Sequence, residues 1–94
     1  MIAVHPGRVL KREMTARDLS ANRLALALRV PSNRVTGILA EQRGITPDTA
    51  LRLSQYFGNS ARFWLNLQTA YDLAETVRQE GARIEREVIP GEAA

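Results

Sequence analysis

Apolar residues recur at spacings of three and four along most of this chain, and this spacing predicts amphipathic helices. Clusters of polar residues, glycine and proline interrupt the pattern four times and divide it into five segments. The segments cover residues 6–14, 21–28, 30–41, 47–57 and 61–79. We therefore predict a compact all-α domain of five helices.

Capping residues stand where these helices are expected to begin and end. Pro6 suits the first turn of a helix, because its backbone angle is already helical and its missing N–H needs no partner there. Ser and Thr precede three further helices, where their side-chain oxygens can accept from free backbone N–H groups. The predicted N-caps are Ser20, Thr46 and Ser60, and the predicted stops are Gly44, in a left-handed conformation, Gly58 and Gly81.

The two faces of the stretch 30–41 differ in size as well as in polarity. At 100° per residue, one face holds the apolar side chains Val35, Ile38 and Leu39, and the opposite face holds Asn33, Thr36, Gly37 and Ala40. A helix made only for solvation would carry Lys and Glu on its outer face. A helix that enters a DNA major groove needs short hydrogen-bonding groups instead. This stretch is therefore a candidate DNA-recognition helix.

Gly37 adds to this interpretation. Glycine inside a helix costs roughly 0.5–1 kcal/mol relative to alanine, so we expect another surface to come close at this position. The alternative is a tolerated weak point in a solvent-facing helix, which is the more common reason for a lone glycine.

The helix before this stretch and the stretch itself are joined by a short turn, as in a helix-turn-helix. Ala25 is small enough to let the two helices cross closely, and Val30 is placed to fill the corner between them. Arg29 stands where a left-handed backbone usually favours glycine, and it adds about 1 kcal/mol of strain if that backbone is kept. Any two amphipathic helices can show such spacing, so it supports the motif without proving it.

The fifth helix is apolar around much of its circumference. Its main stripe contains Phe63, Trp64, Leu67, Ala70, Tyr71, Ala74 and Val77, and Leu65 and Leu73 lie on the other side. A helix of this kind is covered on two sides, so we predict a homodimer with Leu65 and Leu73 in its interface. The DNA-binding domain then spans residues 1–80 and includes a dimerisation helix at 60–79. Residues 81–94 form a C-terminal arm, with a short edge strand or a frayed tail as alternatives.

Composition narrows the function. A chain of 94 residues forms one core. The absence of cysteine and the single histidine argue against thiolate metal sites, disulfides and Cys- or Ser-His-Asp-based catalysis, and we expect neither metal nor cofactor. No apolar run approaches the roughly 20 residues that span a bilayer, and the first residues do not resemble an export signal. We therefore expect a cytoplasmic protein without membrane contact.

Charge is distributed unevenly along the chain. Residues 1–62 contain ten Lys or Arg against four Asp or Glu, a net charge of +6, whereas residues 63–94 contain three against six, a net charge of −3. The basic part is almost entirely arginine, whose guanidinium fork matches phosphate oxygens. The alternative is an ordinary solvated arginine surface.

Motifs spread over residues 5–75 are specific enough for comparison with known families. They are His5-Pro6-Gly7, Leu28 to Pro31, Asn33-Arg34, Arg43 to Leu53, Phe63 to Gln68 and Tyr71 to Leu73. Together they closely resemble the HigA family of antitoxins, which are phage-repressor-like helix-turn-helix proteins. The resemblance implies a lambda-repressor-like domain that dimerises, represses its own operon and neutralises a HigB toxin, a small basic protein that cleaves RNA. The sequence departs from the family at Arg8, where an acid is usual, and at Arg29, where glycine is usual.

The candidate recognition helix supplies the expected contacts to base edges of double-stranded DNA. Asn33, Thr36 and Gly37 project from its first two turns, where proteins with this fold reach the bases, and Asn33 suits the paired donor and acceptor of adenine. Arg34 lies at the margin of that face and can reach either guanine or a phosphate.

Two further residues are expected to hold the phosphate backbone. Ser32 lies near the start of the recognition helix, and Arg43 lies in the loop behind it. A two-fold dimer places two recognition helices about 34 Å apart, so we expect an operator with an inverted repeat.

Other functions stay open at this point. A stand-alone phage-type repressor lacks a toxin and differs only in its neighbouring gene. A protein-interaction adaptor would not need the arginine-rich front part. An enzyme that uses paired carboxylates needs its acids in one place, whereas these acids are scattered over predicted solvent faces. The acids after residue 62 suit a basic toxin, and a solvated helical surface explains them equally well.

Overall fold

Five helices account for most of the chain in a computed structural model, which describes residues 3–91. They are α1 (Pro6–Ala16), α2 (Ala21–Leu28), α3 (Ser32–Leu39), α4 (Pro47–Phe57) and α5 (Ala61–Glu87). Over the described range there is no strand. The predicted all-α, five-helix domain is confirmed, and α3 is two residues shorter at each end than the stretch 30–41.

The core lies among the first four helices and the beginning of α5. Trp64 is its largest fully buried side chain, and the indole N–H donates to the side-chain oxygen of Asn59 at 2.9 Å. The other buried apolar residues are Leu10, Met14, Leu24, Ala25, Leu28, Val35, Ile38, Ile45, Ala50 and Leu53. Beyond Trp64 no described residue is buried, so the rest of α5 extends away from the core. Within residues 3–91, no helix combines the length and apolarity that crossing a membrane requires.

The N-caps predicted at Ser20, Thr46 and Ser60 are confirmed. Each hydroxyl accepts a hydrogen bond from the backbone N–H three residues later, at 3.2, 3.3 and 3.0 Å respectively. A cap of this kind stabilises a helix by about 1 kcal/mol. Pro6 opens α1 as expected, and the cap there is His5, whose Nδ1 accepts from the N–H of Gly7 at 2.9 Å.

Gly7 lies where α1 crosses α3. A Cβ atom at this position would collide with the carbonyl oxygen of Ile38 and stand 3.0 Å from its carbonyl carbon. The missing side chain therefore lets the two backbones touch. This contact holds α3 from behind and leaves its other face open.

The predicted helix-turn-helix is formed by α2 and α3. Arg29 takes the left-handed conformation, with φ 62° and ψ 44°, and its N–H donates to the carbonyl oxygens of Ala25 and Leu26. The left-handed backbone expected after α2 is thus present, although the residue is arginine and not glycine. Val30 is half-buried against the core, as predicted.

Two predicted helix stops are wrong. After α3 the left-handed residue is Glu41, with φ 61°, and Gly44 does not have a positive φ. Gly81 does not end α5, which continues to Glu87. Gly81 disfavours the helix by only about 1 kcal/mol. The ion pairs of Arg83 with Glu80 and Glu87, on the turns before and after it, stabilise the helix in this region.

The alternatives for residues 81–94 change accordingly. The arm does not begin at residue 81, and the edge strand is wrong for the described part, because residues 81–87 are helical and 88–91 have no regular structure. Residues 92–94 lie outside the described residues.

Candidate nucleic-acid interface

The exposed face of α3 carries the short side chains that the sequence places there. Ser32, Asn33 and Thr36 are exposed, whereas Val35 and Ile38 on the other side are buried. The amphipathic division of the candidate recognition helix is therefore as expected. Because Ser32, Asn33 and Thr36 are short, the first two turns of α3 can approach a partner surface closely.

The N-terminal end of α3 lacks a side-chain cap. Its N-cap residue is Pro31, whose side chain cannot accept a hydrogen bond, and the backbone carbonyl oxygen of Pro31 accepts from the N–H of Arg34 at 3.0 Å. No side chain therefore caps the N–H groups of Ser32 and Asn33, and the hydroxyl of Ser32 is exposed. The partial positive charge at such an end favours an anion, and phosphate is a common one.

Gly37 makes room for the side chain of Arg43. A Cβ atom on Gly37 would stand 3.4 Å from Arg43 Cβ, 3.8 Å from its Cδ and 3.9 Å from its Nε. The exposed Arg43 side chain therefore lies across α3 and brings its guanidinium beside the outward face. The Arg43 side chain is thus one reason for glycine at position 37. That DNA also approaches Gly37 closely stays a prediction.

Arg34 is tied to the first turn of α4. Its Nη1 donates to Asp48 Oδ2 at 2.9 Å, and Arg52 Nε donates to the same oxygen at 2.9 Å. Arg52 Nη1 also donates to the carbonyl oxygen of Leu28 at 2.9 Å. The hydrogen bond from Arg52, followed by the charges of Arg52 and Arg34, holds the pKa of Asp48 below its ordinary value. A charged carboxylate thus joins the end of α2, the start of α3 and the start of α4.

A groove of 580 Å³ runs beside this network. Four arginines line it, namely Arg29, Arg34, Arg43 and Arg52, together with the carboxylates of Asp48 and Asp72. Cations therefore outnumber acids at this edge of the recognition helix. The arrangement suits a polyanion more than a small neutral ligand.

Gln68 of α5 positions the loop that carries Arg43. Its Oε1 accepts from the N–H of Ile45 at 2.7 Å, and its Nε2 donates to Asp72 at 2.9 Å. A Cβ on Gly44 would stand 2.9 Å from the Gln68 amide, so a larger residue here would make that amide move. The sequence predicted a left-handed cap at Gly44 and missed this role.

The outer side of α5 carries an uncovered apolar stripe. It contains Leu73, Val77 and Ile84, which recur at intervals of four and seven residues and are 43–60% exposed, and the exposed Val88 follows directly after the helix. Leu65 differs from Leu73, because Leu65 is half-buried against the chain's own core. Only Leu73 of the two predicted interface residues is thus available to a second molecule. Val77 and the exposed Phe63 lie outside the core, although the sequence grouped them with the buried Trp64.

The network of Asp48 and Arg52 was missed as part of the site. The spacing of four residues between Asp48 and Arg52 is the signal in the sequence for an ion pair on one helix face. Nothing comparable in the sequence indicates that Arg34, on another helix, is the second partner.

Comparisons with known proteins agree with this geometry. No family model matches the chain. Virulence-associated protein I of Dichelobacter nodosus is 57% identical over 74 residues, which cover 78% of this chain and 68% of that protein.

Two solved structures are similar over nearly the whole chain. An addiction module antidote protein of a HigA family from Coxiella burnetii shares 49% identity, with a TM-score of 0.91 over 97% of this chain and 100% of the other. The Pseudomonas aeruginosa antitoxin HigA, solved with the higBA promoter, shares 44% identity, with a TM-score of 0.91 over 95% and 98%.

Proposed function

Because this chain belongs to the HigA family of helix-turn-helix antitoxins, we propose that it binds operator DNA, represses its own operon and neutralises a HigB-type toxin. It is not an enzyme, since its relatives are antitoxins and transcriptional regulators. A repressor acts where the chromosome lies, so we place the protein in the cytoplasm.

One observation supports DNA binding above the others. The exposed face of α3 holds short polar side chains at Asn33 and Thr36, and arginines flank it on the side of the groove. Short side chains allow the helix to enter the major groove, and an exposed arginine such as Arg43 suits a phosphate beside it. We propose that Asn33, Thr36 and Gly37 face the bases, whereas Ser32 and Arg43 contact phosphates.

A binding measurement tests this function directly. Fluorescence anisotropy compares a duplex taken from upstream of the chain's own gene with a duplex of the same composition in random order. We expect the upstream duplex to bind about a thousandfold more tightly or better at physiological salt. Equal affinity for both duplexes contradicts a role as a sequence-specific repressor.

We also propose a homodimer that covers the apolar stripe of α5. Sedimentation at tens of micromolar is expected to show twice the mass of one chain, which is 10.5 kDa. Leu73→Ser removes a large apolar group from both copies and is expected to raise the dimer dissociation constant about tenfold or more. Leu26→Ser is the control, because Leu26 is 69% exposed on α2, outside the stripe. A wild-type chain that sediments as a monomer contradicts the proposed dimer.

The acidic end of the chain is the proposed contact for the toxin. Removing residues 76–94 is expected to weaken capture of the protein encoded by the neighbouring gene, because four of the six acids after residue 62 are lost, together with three arginines. The matched control is the full chain with Val77→Ser and Ile84→Ser, which keeps the acids and reduces the apolar stripe. If the truncated chain captures the toxin equally well, the toxin contact lies within residues 1–75. If the full chain captures no such protein, the stand-alone repressor is the better description.

A further inference from the structure

Asp48 holds Arg34 at the flank of α3. In a helix, Arg34 lies 100° from Asn33 and thus at the margin of the outward face. Its guanidinium turns towards α4, where Nη1 lies 2.9 Å from Asp48 Oδ2, and its side chain is only 32% exposed. The Arg34 side chain, which is long and flexible and lies next to Asn33, is therefore held in one position by the carboxylate of Asp48.

Arg52 keeps that carboxylate in place. It donates to the same Oδ2 through Nε, and its Nη1 is anchored on the carbonyl oxygen of Leu28 at the end of α2. Asp48 cannot turn away from Arg34 without also losing the hydrogen bond from Arg52. Asp48 and Arg52 therefore form a fixed acceptor for Arg34.

The consequence for binding follows from the chemistry of a free arginine beside DNA. An additional guanidinium that reaches a phosphate releases counterions and increases the affinity for any sequence. An arginine already paired with Asp48 does not add this sequence-independent contribution.

We propose that Asp48 sets the sequence discrimination of this surface by keeping Arg34 away from the phosphates, so that the short side chains of α3 read the bases. This inference rests on the proposed DNA-binding function. Asp48 acts as a positioning residue, because it affects DNA through Arg34.

Asp48→Asn tests the proposal, since it keeps the shape of the side chain and removes its charge. We expect affinity for random-sequence DNA to increase about threefold at physiological salt, because Arg34 gains a phosphate contact. The slope of log affinity against log salt is expected to steepen by about 0.9 for each protomer. Affinity for the operator changes less, so the ratio of operator to random affinity falls.

Two controls separate this mechanism from a general effect of charge. Asp72→Asn removes a carboxylate from the same groove, where Asp72 is bonded to Gln68 and not to Arg34, and a smaller change is expected. In a chain that already carries Arg34→Gln, the further change Asp48→Asn is expected to have no effect on the affinity ratio. Thermal unfolding shows that each variant is folded.

The outcomes are distinct. An unchanged ratio in Asp48→Asn, or an equal fall in the Arg34→Gln background, overturns the proposal. A wild-type chain that does not distinguish operator from random DNA overturns the proposed function itself. Discrimination by the wild type that is reduced in Asp48→Asn only when Arg34 is present supports both.

Discussion

Replacing Gly7 with alanine is expected to lower the free energy of unfolding by about 2–4 kcal/mol. The new Cβ would collide with the carbonyl oxygen of Ile38, and that atom belongs to the backbone of α3. A side chain could rotate out of the way, whereas a helix backbone can yield only by moving α1 and α3 apart. Urea denaturation followed by circular dichroism measures the loss of stability. Operator binding should weaken as well, because Gly7 lies directly behind the recognition helix.

Gly81→Ala is the matched control, with the opposite sign. Gly81 lies inside α5, and a Cβ there would meet only the side chain of Val77, at an ordinary distance of 3.4 Å. Alanine favours helix by roughly 0.5–1 kcal/mol over glycine, so this variant should be slightly more stable than the wild type. If Gly7→Ala proved as stable as Gly81→Ala, the close crossing of α1 and α3 would be wrong.

Asn33→Ala is expected to weaken operator binding by roughly 1–3 kcal/mol for each recognition helix, with little effect on random DNA. The amide of Asn33 is exposed in the first turn of α3, and it can pair with both the donor and the acceptor on the edge of adenine. Its loss should relax the preference at one base pair of each half-site. Competition between duplexes that differ at single positions measures this change.

Arg43→Ala provides the contrasting result. Arg43 lies across Gly37 beside the reading face, and we propose that it contacts phosphate. Its removal should weaken operator and random DNA nearly equally and reduce the salt slope by about one unit for each protomer. If Asn33→Ala reduced both affinities by the same factor, α3 would not be reading sequence.

Features that depend on residues close together in the chain were predictable from the sequence. The N-caps at Ser20, Thr46 and Ser60 each involve a hydrogen bond to the third following residue, so a short segment contains all the information. The faces of α3 follow from helical periodicity in the same way. The division into five helices, the helix-turn-helix and the outward position of Asn33 and Thr36 were therefore predictable.

The end of α5 shows where local signals are too weak to decide. Gly81 disfavours helix by only about 1 kcal/mol, and the neighbouring pairs of Arg83 with Glu80 and Glu87 offset part of that amount. The two sides of α5 were similarly ambiguous. Leu65 and Phe63 are both large and apolar, yet Leu65 packs against the core and Phe63 is exposed.

Tertiary structure alone decided the contacts between residues distant in the chain. Arg34 and Asp48 are fourteen residues apart, and Ile45 and Gln68 are twenty-three apart, so no local pattern joins them. Glycine shows the same limit, because a sequence records only that a side chain is missing. The sequence predicted that Gly58 ends a helix, which needs only local information. It did not indicate that Gly7 meets the backbone of another helix or that Gly44 meets the side chain of Gln68.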